Sequence, residues 1–135
     1  VPSAILPVAK MAFVCDDVVG DKHLGKTSVL NLFNTVRLLD ENFPYRLGKL
    51  CVFAEFKGGL GIIPVHVEIA QADTGELLYR SPDFVLSFTD RTKTHRAKCK
   101  LQKVILPSAG TYFVELYCND EFVDDQPIRV ISVPV

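Results

Sequence analysis

The chain predicts an all-β fold, an antiparallel Greek-key β-sandwich of about eight strands, and three observations carry that expectation. Apolar and polar residues alternate with a period of two over several short stretches, and Gly, Pro, Asn and Asp punctuate those stretches. No series of long amphipathic helical patterns falls between them. The clearest stretch is LPSAGTYFVELYCNDEFVDDQPIRV at 106–130. Pro107 and Gly110 mark a turn, after which Tyr112, Val114, Leu116 and Cys118 alternate with Phe113, Glu115 and Tyr117. The polar tip Asn119-Asp120 then leads to a second strand near Ile128 to Val133, which makes this region a closing hairpin.

At the start of the chain, Met11, Phe13 and Cys15 alternate with Ala12 and Val14 ahead of Asp16-Asp17. This predicts a first strand that ends in an exposed loop through Gly20 to Gly25. Between Ser28 and Leu39 two patterns compete. Val29, Leu32, Phe33, Val36 and Leu39 fit a helical stripe behind a Thr27/Ser28 cap, while Leu30, Leu32, Val36 and Leu38 fit one face of a strand. The β character of the flanking segments favours the strand. Phe43-Pro44 reads as a turn, and LCVFAEF at 50–56 as a strand ending at Gly58-Gly59. Its core face is either Cys51, Phe53 and Glu55 or Leu50, Val52 and Phe56, the second set being more apolar. Gly58-Gly59-Leu60-Gly61 reads as a hairpin. In the next strand Ile63, Val65, Val67 and Ile69 share one face, with His66 and Glu68 on the other. Ala72-Asp73-Thr74-Gly75 is a turn with Gly where positive φ is favoured, and the chain returns through Leu77, Leu78 and Tyr79 to Phe84–Phe88. The one dense charge run, RTKTHRAKCK from Arg91 to Lys100, feeds a strand through Leu101, Val104 and Leu106. No repeat or linker divides residues 1–135, so one domain is expected.

With 135 residues, 48% hydrophobic and 23% charged, the chain has the composition of a folded globular protein. Fifteen Lys plus Arg against sixteen Asp plus Glu give a net charge of −1, which removes the global attraction to phosphate and argues against a nucleic-acid partner. The opening VPSAILPVAK is apolar, but Pro2 and Pro7 interrupt it and no basic segment precedes it, so neither a secretory signal nor a membrane partner is expected. Cys15, Cys51, Cys99 and Cys118 include no C-x-x-C pair and no zinc-like spacing with His. No metal or cofactor is therefore expected. Reduced thiols in a cytoplasmic setting are the default, with three disulfide pairings left open.

The ordered segments FVCDDV, SVLNLFNTVR with a following FP, LCVFAEF, ADTGELLYR and GTYFVELYCNDEFVDDQPIRV resemble a family of small uncharacterised bacterial proteins over about Val14 to Val130. The resemblance implies a domain of unknown function with an immunoglobulin-like or C2-like sandwich in a bacterial cytoplasm. It assigns no active residues.

The functional candidates are surface groups. If Tyr112 and Leu116 face the core, Phe113 and Tyr117 share the opposite face of the last hairpin, beside Phe122 and Val123 near its tip. Phe113, Tyr117 and Phe122 are thus the candidate contact residues for another protein or a second copy of the chain. A covering N-terminal segment of Ala4, Ile5 and Leu6 would instead bury them. The alternative is a site for a nucleotide, phosphosugar or acidic polymer on Arg91, Lys93, Arg96 and Lys98. If that segment is extended, Arg96, Lys98 and Lys100 project opposite to Lys93, His95 and Ala97; the competing view is a solvated strand or loop whose lysines discourage edge pairing. Asp16-Asp17 with Asp21, Asp120-Glu121 and Asp124-Asp125 read as solvated turn carboxylates rather than calcium ligands. His23, His66 and His95 stand in no catalytic motif, and Cys15 and Cys118 suit buried packing better than nucleophilic chemistry. The expectation is a non-enzymatic interaction module.

Overall fold

The structure, a computed structural model, describes residues 4–21, 25–39 and 42–134. The period-two alternation is realised as twelve strands with no α-helix among the described residues: β1 (Val8–Asp21), β2 (Lys26–Leu32), β3 (Thr35–Leu39), β4 (Tyr45–Leu47), β5 (Cys51–Lys57), β6 (Gly61–Gln71), β7 (Leu77–Arg80), β8 (Phe84–Phe88), β9 (His95–Lys100), β10 (Val104–Leu106), β11 (Gly110–Cys118) and β12 (Glu121–Val133). No described helix is long and apolar enough to cross a membrane. A small sheet has the order β2-β1-β5-β9, and a large sheet runs β3-β12-β11-β6-β7 with β8 also on β6. β4 and β10 form a separate ribbon. Pairing is antiparallel except between β3 and β12.

The two sheets share one core. Val14, Val52, Ala54 and Phe56 of the small sheet meet Ile63, Val65, Val67, Ile69, Tyr112, Val114, Leu116, Ile128 and Val130 of the large one. Phe56 lies edge-on to Phe88, with ring centroids 6.1 Å apart. The main core thus takes the Val52/Phe56 face of β5. Hydrophobic burial on this scale is the dominant stabilising term.

Several expectations are corrected. The count of eight strands becomes twelve because the chain changes partner between β2 and β3 and between β9 and β10, because β7 and β8 pair separately with β6, and because β4 was missed. Residues 28–39 are indeed extended, but they supply β2 to the small sheet and β3 to the large one, so Leu30, Leu32, Val36 and Leu38 do not share a face. The 58–61 glycines form no hairpin, since β5 and β6 lie in different sheets and the link carries the chain across. A side chain at Gly59 would meet Phe88 at 2.9 Å and Pro7 at 3.0 Å, so close packing rather than backbone conformation favours glycine there. The closing hairpin pairs from its tip: Asn119 and Asp120 have φ of 53° and 62°, as a two-residue turn with both central φ positive requires, and β12 begins at Glu121. The Ala72–Gly75 turn also joins paired strands, with Gly75 at φ 70°. Asp16, Asp17, Asp124 and Asp125 lie in strands rather than loops.

β1 extends past its expected end because it bends. Its first half pairs with β5 as far as Cys15↔Cys51, and its second half pairs with β2. Asp17 meets Lys100, Val18 meets Lys98, and Thr27 on β2 meets Arg96. Those β9 residues lie opposite Cys51, Phe53 and Glu55 in turn, so the β1–β2 hairpin runs back over the outer face of β5. Cys15, Val18, Cys51 and Phe53 form a second, smaller core beneath it, with Phe13 and Val29 packed against them. Every residue from Cys51 to Phe56 is therefore buried.

Candidate partner-binding site

The outer face of the large sheet carries the aromatic candidates because β11 alternates strictly: Tyr112, Val114, Leu116 and Cys118 point inward, leaving Phe113, Glu115 and Tyr117 outward. Antiparallel register sets their neighbours. One row across the sheet is His66, Tyr117 and Phe122; the next is Glu68, Glu115 and Asp125; a third is Ala70, Phe113 and Pro127.

His66 anchors the first row. It is only 2% exposed, and Tyr117 stacks on it with ring centroids 4.9 Å apart and planes 5° from parallel. Its Nε2 lies 2.6 Å from Glu68 Oε2, and its Nδ1 lies 3.7 Å from Asp83 and 3.9 Å from Asp120. Arg80 completes the cluster at 3.8 Å from Glu68 and 3.5 Å from both Asp83 and Asp120. Phe122 sits edge-on to Tyr117 at 6.0 Å and is 54% exposed. The structure brings Tyr117 and Phe122 together and separates both from Phe113, which is half-buried beyond the acidic row. Ile5 bridges to Leu60, at the link between β5 and β6, and Phe122 remains exposed.

The second row sets like charges directly opposite one another, an arrangement that costs stability. Burial first, then the Glu68 and Asp125 charges, push the Glu115 carboxyl above its ordinary range. Burial followed by the Glu115 and Glu68 charges likewise raises the Tyr117 phenol. Among the described residues no group of His, Cys, Asp and Glu is arranged to hold a metal ion.

The basic segment has the expected alternation, with Arg96, Lys98 and Lys100 outward and His95, Ala97 and Cys99 inward. Its cations are turned onto the chain itself. Arg96 Nε is 3.1 Å from Glu55, which also pairs with Lys10 at 3.2 Å, and the Lys98 ammonium donates to the Val18 carbonyl at 2.9 Å. Arg91 and Lys93 lie in the turn before β9, where Arg91 donates to the Gly58 carbonyl at 3.2 Å. The four candidate anion ligands therefore do not converge on one open site. Burial pushes the Cys118 thiol up to about 11 and, with added charge effects, the Cys15 thiol up to about 12. His95 packs against Phe88 at 4.7 Å. His23 and the Asp21 side chain lie outside the described residues.

Sequence alternation alone placed His66 and Glu68 outward, but nothing in their neighbourhood revealed the Tyr117 cover or the approach of Arg80, Asp83 and Asp120. Those residues come from β7, the segment before β8 and the β11–β12 turn. Comparison with curated proteins gives no match. The profile of a family of unknown function, DUF6941, matches residues 10–131, and the chain belongs to that family.

Proposed function

We propose that the chain is a non-enzymatic protein-interaction module that binds another protein, or a second copy of itself, through the outer face of its large sheet. The observation that carries this reading is the seating of Tyr117 on the buried His66 with exposed Phe122 beside it. A pre-positioned aromatic loses little conformational freedom on binding, and such anchors carry a disproportionate share of interface energy. The adjoining Glu68, Glu115 and Asp125 suit a partner that presents Lys or Arg next to an apolar group.

The reading includes an immunoglobulin-like or C2-like Greek-key sandwich in a bacterial cytoplasm. Two sheets around one core support the architecture, as does the Tyr112 hydroxyl donating back to the Ser108 carbonyl, a contact resembling the tyrosine corner of such sandwiches. Four free cysteines, three of them fully buried, accord with a reducing compartment.

The test is retention of lysate proteins by the tagged chain, with self-association followed by sedimentation. Tyr117→Ala should reduce the specific partner or the dimer at least about tenfold while leaving the far-ultraviolet circular dichroism intact. Unchanged association in the folded variant sinks the proposal. The anion-site reading requires Arg96 and Lys98 to leave Glu55 and Val18; a salt-sensitive phosphate ligand lost on changing both to Glu would favour it.

A further inference from the structure

Cys15 and Cys51 stand directly opposite each other where β1 meets β5. Opposed residues on neighbouring strands share a face, so both thiols enter the small core beneath the folded-back hairpin, and both are fully buried. The Cys15 thiol donates to the Cys51 carbonyl at 3.6 Å and the Cys51 thiol to the Val52 carbonyl at 3.9 Å. Opposed Cα atoms in antiparallel ladders are roughly 4.5–5.5 Å apart, inside the span of about 4.4–6.8 Å that a disulfide bridges. We propose that Cys15 and Cys51 form a reversible cross-strand disulfide, made by exchange with a small-molecule disulfide such as oxidised glutathione when the β1–β2 hairpin lifts.

A hollow between hairpin and β9, lined by Val18, Thr27, Phe53, Arg96 and Lys98, adjoins this small core at Val18 and Phe53 and becomes the route in when the hairpin lifts. Burial raises both thiols, and the Asp17 charge adds to the rise at each. Either thiol can attack first and the products are the same, so Cys51 represents both. It loses its proton, its sulfur bonds to one sulfur of the oxidant, and the oxidant's S–S bond breaks to expel a glutathione thiolate. Cys15, deprotonated in turn, attacks the Cys51 sulfur and expels the second glutathione thiolate. The two thiolates take up the two protons; the protein has lost two electrons and the oxidant has gained them.

The closed hairpin keeps the pair protonated and covered, so the rate of cross-linking reads out hairpin opening. The Lys98 ammonium holds the hairpin by the Val18 carbonyl, which makes Lys98 the latch. The experiment treats the native full chain with oxidised glutathione, alkylates the remaining thiols and maps peptides without reduction. The expected product links Cys15 to Cys51, leaves Cys99 and Cys118 alkylated, is reversed by dithiothreitol, and appears severalfold faster in Lys98→Ala. If that variant is unstable, Lys98→Met keeps the apolar stem while removing the ammonium. A link through Cys99 or Cys118, glutathione retained on single cysteines, a Cys15–Cys51 link that forms only in denaturant, or thiols that stay reduced in every variant would each overturn the proposal.

Discussion

The outer faces of the two sheets spend their charges in opposite ways. On the small sheet Glu55 lies between Arg96 and Lys10, Lys98 and Lys100 grip the hairpin, and a second apolar core fills the space beneath. On the large sheet Glu68, which His66 and Arg80 approach, stands beside Glu115 and Asp125 across three strands, next to an exposed aromatic. A face whose polar groups are satisfied internally has little left to offer a partner. A face that tolerates opposed carboxylates retains unspent interaction energy, which a cationic partner would collect.

The comparison breaks most visibly if matched aromatics behave alike. Phe53→Ala, beneath the hairpin, should cost about 3–4 kcal/mol in urea unfolding, whereas Phe122→Ala should fall within about 0.5 kcal/mol of wild type. Next in size, Glu55→Gln should cost about 2 kcal/mol because Glu55 is a buried acceptor of charged donors. The Arg96 hydrogen bond, with Lys10 assisting, holds the Glu55 carboxyl below its ordinary range. Its contribution is therefore complete above the unfolded-state pKa and disappears as pH falls through the depressed folded value, so the variant and wild-type curves should converge in acid.

Tyr117→Ala should cost about 1 kcal/mol of stability through the lost stacking, a smaller effect on folding than on association. A large loss of stability with undiminished association would invert the assignment of the two faces. The smallest effect has the opposite sign. Glu115→Gln should stabilise the fold by about 0.5 kcal/mol at neutral pH. Because burial and neighbouring carboxylates raise the folded-state pKa of Glu115, its cost is present above that raised value and vanishes as pH falls toward the unfolded-state value. Thermal melts across that range should show the advantage of Gln fading on acidification.

What was legible in the sequence was local. The alternation in β6 and β11 and the Asn119-Asp120 tip depend on neighbours a few residues away, and they appear as expected. The competing registers of LCVFAEF also had a physical meaning: both sets are buried, one in each core, which is why the pattern did not discriminate. The bend after Cys15 was not legible, because the contacts that fold the hairpin back connect Asp17, Val18 and Thr27 to β9. Residues 28–39 showed β character but not their change of sheet, since that change is fixed by partners elsewhere in the chain. The Tyr117 and Phe122 face followed from alternation, while the His66 cluster beneath it required three separate segments to meet.

The parallel ladder from Thr35↔Arg129 to Leu39↔Val133 gives translation a particular burden. A ribosome that has completed β3 must still make the other nine strands before the pairing partner of β3 exists. Until then a nascent chain carries β3 with no ladder, and β11 with one side open. A premature stop before residue 121 would make that condition permanent, leaving two unprotected edges able to recruit neighbouring chains. Messages that stop short of residue 121 should therefore yield aggregates rather than merely weakened monomers.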